Sequence, residues 1–541
     1  MVEYEIEETL DDSHKLLWSV QDTWTMLALW LGTVLSRMPF RSQILYHWDS
    51  VNFAFAMQKF DVAAEQPQSP GYIGYVWLCR LVDLLFRDPQ GTMVWLAIVG
   101  SGLAVAAMYL LGRAMFGRRT GIAAALFLAS SPLFWFYGEI ALPHTLDAFL
   151  VILSAWLLYE VMQGQAWATV PAAVSLAVAG GIRQQTPVFL ALLALLAGIR
   201  FLQQVGWRRG WYWGGLAIVV FGLLCAAWFF PLIGSAGGLA RYLEIVGTFS
   251  ERFDSSTSLF LGAGWRGLNR NLRKLGMYTL YGWSVALLPL AVYGLLQPRW
   301  RRPLTRIKCI RVQWKHVTFL IAWTCPSLFF YSLIHMGQQG LVFVFLPVLL
   351  LVSARALVRL VDERRHVVLT AGLALLVIVN ATICIALPEY PLGEERFKVL
   401  SWDTLRNNDI YFTERFTAIR EHFPPTHTII IARRWRHVEW YLPDYVYLPF
   451  AIAGKWEMNT GSALHSEQDE QLLTVSDLGL QPDDENQVNV VLFDPELHSF
   501  NLSSTHTTQA PLGEAGDLSI ITWTEEQQFF YRAKGFGVQG D

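Results

Sequence analysis

Long stretches of the chain contain no Asp, Glu, Lys or Arg, among them residues 91–112, 120–138, 164–182, 210–240, 275–298 and 367–388. A helix needs about 20 apolar residues to cross about 30 Å of hydrocarbon, and each stretch meets that length. Their recurrence predicts a bundle of membrane-spanning helices rather than a buried soluble core. Further spans are predicted over residues 17–36, interrupted by Asp22, over 148–161 and 184–201, and over 317–354. The last is too long for one crossing and breaks at His335-Met336-Gly337-Gln338-Gln339-Gly340, which makes it a hairpin. The sum is about 11 spans. Residues 71–86 are apolar but carry Arg80 and Asp83, which points to an amphipathic or re-entrant helix in the membrane interface.

Beyond residue 389 the pattern changes. Short β-rich runs at 428–432, 445–450, 488–493 and 518–523 are separated by polar, turn-rich stretches. The expected architecture is a polytopic α-helical membrane protein with a C-terminal soluble α/β domain. Its parts are a cytoplasmic N-terminus (1–16), a transmembrane domain (17–386) with interfacial helices at 39–90, and a soluble non-cytoplasmic domain (387–541).

Composition agrees: 53% of the 541 residues are hydrophobic and 16% are charged, against about 25% charged in ordinary soluble proteins. The distribution of charge orients the spans, because Lys and Arg gather in cytoplasmic loops. Arg113, Arg118 and Arg119 form one basic loop, and Arg208 and Arg209 another. The strongest holds Arg299, Arg301, Arg302, Arg306, Lys308, Arg311 and Lys315; the last holds Arg355, Arg359, Arg364 and Arg365. All four fall on one side when the spans alternate, which places the soluble domain on the other. The acidic stretch 1–15 lacks the basic start of a cleavable secretion signal. None of the five cysteines lies beyond Cys384, and no Cys/His spacing matches a metal site.

The polar groups at span ends are the chemical candidates, since ionisable groups at membrane depth are costly and usually functional. Asp49 follows the first span, within Tyr46-His47-Trp48-Asp49-Ser50. It is suited to act as a general base or metal ligand; it is equally suited to ending a helix. Glu139 is either a site carboxylate or a charge complementing the dipole of the next helix. His144 and Asp147 share a helix face and read as a hydrogen-bonded pair rather than a metal site. Arg183, in Gly181-Ile182-Arg183-Gln184-Gln185, is suited to bidentate phosphate binding or to snorkelling at an interface. The loop 234–276 breaks the charge rule with Arg241, Arg252, Arg266, Arg270, Arg273 and Lys274. Either a lipid-linked phosphate or plain anchoring to lipid head groups accounts for them.

These features resemble the GT-C glycosyltransferases, of the aminoarabinose transferase and protein O-mannosyltransferase type. The carrying segments are His47-Trp48-Asp49-Ser50, Gln68-Ser69-Pro70-Gly71-Tyr72, Arg113-Ala114-Met115-Phe116-Gly117-Arg118-Arg119, Ser131-Pro132, Gly181-Ile182-Arg183-Gln184-Gln185 and His335-Met336-Gly337-Gln338-Gln339-Gly340, spread over residues 20–385. The resemblance implies transfer of a sugar from a polyprenyl-phosphate carrier to a hydroxyl of a lipid, glycan or protein, on the outer face of the cell membrane. It implies Asp49 as the catalytic carboxylate, and Glu139 as the second acidic residue with Asp147 as its competitor. Arg183 and the basic loop, through Arg270, Arg273 and Lys274, would hold the lipid phosphate. His47, Gln184, His144, His335 and Gln338 complete the expected substrate contacts. Several family members carry paired acidic residues in the first loop, whereas Ser50 follows Asp49 here, which favours single-base chemistry. No cofactor is demanded by the motifs, a divalent metal stays open, and no nucleic-acid partner is expected. The competing readings are a transporter or flippase of a lipid-linked substrate, which would place polar, broken helices at the membrane midplane, and a binding subunit whose external domain is the working part.

Overall fold

The computed structural model describes residues 19–296, 307–361, 365–393, 398–450, 470–483, 486–503, 507–524, 527–532 and 535–539. The stretch 1–16 and the basic residues Arg299, Arg301, Arg302, Arg306 and Arg364 lie outside the described residues. The chain divides into two compact units: Met1–Arg41 with Ala56–Asp403, and Ser42–Phe55 with Thr404–Asp541.

The first unit is helical. Its helices are α1 (Val20–Arg37), the end of α2 (Trp48–Gln58), α3 (Ile73–Phe86), α4 (Pro89–Phe116), α5 (Arg118–Ser130), α6 (Pro132–Tyr137), α7 (His144–Met162), α8 (Thr169–Ile182), α9 (Gln185–Val205), α10 (Trp207–Ser235), α11 (Leu239–Thr257), α12 (Gly264–Trp283), α13 (Leu288–Leu296), α14 (Ile307–Leu333), α15 (Leu346–Leu360) and α16 (His366–Ala386). Among the described residues, seven segments are long and apolar enough to cross a membrane: α4, α7, α9, α10, α12 continuing into α13, the Trp314–Leu333 part of α14, and α16. The protein is a multi-pass membrane protein. Other stretches in the sequence count of about 11 form shorter helices. Residues 120–138 break at Ser131-Pro132 into α5 and α6, because a proline favours the first helical turn and disfavours a helical residue before it.

Charges that interrupt apolar stretches have local partners. Asp22 lies in the first turn of α1 and closes a capping box with Ser19. It also accepts from the Tyr109 hydroxyl at 2.5 Å and the Arg113 guanidinium at 3.1 Å, so part of the first basic loop neutralises the charge in the first span. Arg80 of α3 donates to the carbonyls of Ala56 and Met57 at 2.8 and 3.0 Å, capping α2. Asp83 accepts from Thr92 at 2.7 Å. The α3 helix buries Ile73, Tyr75, Val76 and Cys79 and exposes Leu81, Leu84 and Leu85, the amphipathic pattern expected of 71–86. The basic stretch read as a loop, 234–276, is mostly helix: Arg241 and Arg252 lie on α11, and Arg266, Arg270, Arg273 and Lys274 on α12. These helices alternate polar and apolar faces rather than running apolar throughout, so a search for charge-free runs passes over them.

The second unit is α/β. Among the described residues it contains the start of α2, most of α17 (Trp402–His422), α18 (Trp435–Tyr441) and eight strands: β1 (Thr428–Ala432), β2 (Val446–Pro449), β3 (Glu470–Leu473), β4 (Gln487–Leu492), β5 (Thr507–Pro511), β6 (Asp517–Thr524), β7 (Gln528–Arg532) and β8 (Gly535–Gln539). A five-stranded sheet runs β2-β1-β4-β6-β5, and a three-stranded sheet runs β3-β7-β8. The β1 strand is parallel to β2 and β4; the remaining pairs are antiparallel. Alternation along β1 divides the core. Ile429 and Ile431 join a cluster with Val490, Trp523 and Phe529; Ile430 and Ala432 join another with Val491 and Phe493. The second cluster is closed by Phe412, Phe416 and Ile419 of α17, spaced i, i+4, i+7 on one helix face. The four strands expected from sequence correspond to β1, β2, β4 and β6.

Candidate functional site

Within the helical unit, the expected site residues form three groups. The first gathers at the α8–α9 junction. Arg183 ends α8 in an extended conformation, and Gln184 caps α9. The Arg183 guanidinium donates to Asp147 Oδ2 at 3.3 Å, to Gln185 Oε1 at 3.2 Å and to the Tyr331 hydroxyl at 3.5 Å. Thr186 donates to Asp147 Oδ1 at 2.6 Å. Both members of the Arg183–Asp147 pair are buried. Gln184 Nε2 reaches the Pro70 carbonyl at 3.5 Å, as does the Tyr242 hydroxyl at 3.0 Å. This drawing together of residues 70–72 and 183–186 depends on a close helix contact: a Cβ on Gly74 would lie 2.6 Å from the Gly181 carbonyl carbon, so the backbones of α3 and α8 touch.

One turn before Asp147, the His144 ring meets Tyr137 edge-on at 4.9 Å. Gly340 packs against both rings and leaves no room for a side chain. Tyr137 donates to Gln339 Oε1 at 3.1 Å. The stretch after Gln338 is therefore seated on the start of α7.

The second group surrounds His335. Its Nδ1 lies 3.1 Å from Thr257 Oγ1, whose one hydrogen goes to the Phe253 carbonyl at 2.8 Å. His335 Nδ1 is thus the donor and Nε2 the bare acceptor. Burial, with the charge of Lys274 added, lowers the His335 pKa to about 4, so the ring is neutral at ordinary pH. Asn271 locks this corner, donating to the carbonyls of Thr257 and Ser332 and accepting from Met336 N. Arg270 donates to the Ser256 carbonyl at 3.2 Å, and Arg270 and Arg273 are exposed.

The third group holds Glu139, which is fully buried and accepts from Trp135 Nε1 at 2.5 Å. The Arg37 guanidinium stacks 3.9 Å above the Trp135 ring and donates to the Ala129 carbonyl.

Asp49 and His47 belong to the other unit. Asp49 lies in the first turn of α2, where an anionic side chain complements the helix dipole. Its amide donates to His47 Nδ1 at 3.0 Å, and its carboxylate is 3.7 Å from that nitrogen. The Asp49 side chain keeps 22% of its surface accessible and His47 keeps 36%. Among the described residues no three His, Cys, Asp or Glu side chains converge. His47 and Asp49 would offer two donors to a metal ion.

Thr186, Tyr331, Thr257 and Asn271 were not singled out in the sequence. Thr186, three residues beyond Arg183, carried a faint signal; the others sit in ordinary helical positions.

Residues 68–233 match the model of the family described as dolichyl-phosphate-mannose-protein mannosyltransferase. No curated protein sequence matches the chain. Among solved structures, ArnT from Cupriavidus metallidurans in the apo state is similar over 93% of this chain and 98% of its own, at 14% identity and a TM-score of 0.54. The same protein bound to undecaprenyl phosphate is similar over 93% and 97%, at 12% identity and a TM-score of 0.52. At these identities the likeness speaks to architecture, and the architecture is the GT-C fold anticipated from the motifs.

Proposed function

We propose that the protein is a membrane glycosyltransferase that moves a sugar from a polyprenyl-phosphate donor to a hydroxyl acceptor on the non-cytoplasmic face of the cell membrane. The family-model match over residues 68–233, which contain Gln68-Ser69-Pro70-Gly71, Glu139, Asp147 and Arg183, carries this reading. The chemistry of the side chains distributes the roles. Asp49 keeps part of its side chain accessible, and it takes the acceptor proton. The acceptor oxygen attacks the anomeric carbon opposite the phosphate; the sugar–phosphate bond breaks, the configuration inverts, and polyprenyl phosphate leaves with the bond's electrons. The cations Arg270, Arg273 and Lys274 stabilise the leaving phosphate. Arg183 is committed to Asp147, so its contribution is through the spare donors of its fork.

The test is transfer by the purified protein from dolichyl-phosphate mannose and from undecaprenyl-phosphate-linked aminoarabinose, with Asp49→Asn alongside. A loss of about 10²–10⁴ in turnover is expected for that variant. Wild-type turnover in Asp49→Asn rules out the base role, and no consumption of either donor by wild type counts against the transferase reading.

A further inference from the structure

The segment carrying Asp49 is not a free loop. Residues 42–55 fold with the C-terminal quarter of the chain. The Asp409 carboxylate, on α17, takes one backbone N–H on each oxygen: Gln43 N at 2.8 Å and Ile44 N at 3.1 Å. Ser42 Oγ lies 3.1 Å from the same carboxylate. The next residue, Leu45, is held on both sides of its Cα. Its amide donates to the Tyr441 hydroxyl at 3.0 Å, and its carbonyl accepts from His437 Nε2 at 2.8 Å. The His437 ring is kept in place by stacking on Phe412, 4.4 Å between centroids.

The side chains continue the docking. Leu45 is fully buried, and Ile44 and Trp48 pack on the α17-facing core. Trp48 meets Trp435 edge-on at 5.3 Å, and Phe55 meets Trp440 at 5.0 Å with Arg436 above its ring. These attachments bracket Asp49 on both sides, at Leu45 and Trp48 before it and Phe55 after it, while leaving its own carboxylate accessible. Ordinary packing of a loop on a domain needs apolar burial alone. Here four successive peptide units, from the Gln43 amide to the Leu45 carbonyl, are read out by side chains from two helices of one domain, which fixes position along the chain as well as depth.

We propose that Asp409 and His437 are positioning residues for the reaction, setting the placement of Asp49 from a distant part of the sequence. The inference rests on the role given to Asp49 above. A carboxylate a fraction of an ångström out of place loses much of its effect on a transferred proton. Donor binding, assigned to other residues, is left alone.

Asp409→Asn keeps the shape but turns one acceptor into an NH₂ that faces a backbone N–H. His437→Phe keeps the stack on Phe412 and removes the donor to Leu45. Both variants are made in the full chain and compared with wild type by two measurements: hydrogen exchange at the Gln43, Ile44 and Leu45 amides, and turnover of whichever of the two donors above wild type consumes. The expected result is faster exchange at those amides, unchanged exchange in β1 and β4, and a fall in kcat of about tenfold or more with donor KM within about twofold. Unchanged exchange at the three amides overturns the proposal whatever the turnover. Faster exchange with undiminished kcat overturns it too. Wild-type turnover in Asp49→Asn overturns the base role and, with it, the positioning proposal that rests on it; lost turnover in Asp49→Asn beside wild-type kcat in Asp409→Asn and His437→Phe overturns the positioning proposal alone.

Discussion

Two carboxylates of this molecule illustrate opposite uses of a charge. Asp147 is buried, with both oxygens engaged by Arg183 and Thr186. Asp49 lies at a helix start with its neighbours pinned and its side chain partly accessible. Burying an ion pair costs several kcal/mol per ion in desolvation, recovered only when partner and geometry are held. A group committed in that way is poorly placed to accept a proton from an incoming hydroxyl. The contrast teaches where to look for reactivity: in a rigid frame around a partly accessible side chain, rather than in the strongest electrostatic contact.

Neutralising each carboxylate should separate the two uses. Asp49→Asn should abolish most turnover while leaving the unfolding midpoint in detergent unchanged. Asp147→Asn should do the reverse in order of cause, destabilising the helical unit by about 3–5 kcal/mol by leaving Arg183 buried and unpaired; thermal unfolding of the detergent-purified protein reads this directly. An Asp147→Asn variant as stable as wild type would erase the distinction. A smaller effect comes from His437. Burial foremost, together with the charges of Arg434 and His47, lowers its pKa to about 3 against the hydrogen bond to Leu45, which raises it. An unfolded imidazole takes its proton near 6.5. Between those values the unfolded chain binds more protons, so this residue's contribution to stability falls as pH drops through the window. Asp409, its carboxyl raised to about 6 by burial against four donors, works in the opposite direction between about 4 and 6. The difference between wild type and His437→Phe is therefore the measurement: the variant should lose less stability than wild type on going from pH 7 to pH 4.5. At the bottom of the scale, Arg241 and Glu244 form an exposed i, i+3 pair at 2.8 Å. Glu244→Gln should change stability by no more than about 0.5 kcal/mol, and a larger shift would mean that surface pairs on α11 matter more than their exposure implies.

The readable parts of the sequence were those written locally. Charge-free runs located the long helices, the six-residue polar break at 335–340 located the turn between α14 and α15, and β-rich runs located four strands. The amphipathic helices α11 and α12 escaped because their apolar residues recur at helical spacing among charges, and a scan for absent charge ignores that spacing. At the site, Arg183 and Asp49 stood out by type and position. Their circumstances did not. The partner of Arg183 is 36 residues away and the partner of Gln43 is 366 residues away, and neither pairing leaves a trace in local pattern. The assignment of residues 42–55 to the C-terminal unit belongs to the same class: it depends on which surfaces meet after folding.

That separation has a consequence for how the protein is made. At about 5–20 residues per second, Asp409 is synthesised some tens of seconds after Gln43. Throughout that interval the segment around Asp49 has none of the partners that hold its backbone, although α1 and much of the helical unit already exist. The final quarter of the chain is therefore an assembly checkpoint for the first loop: a truncated product would carry the Asp49 side chain without the frame that orients it.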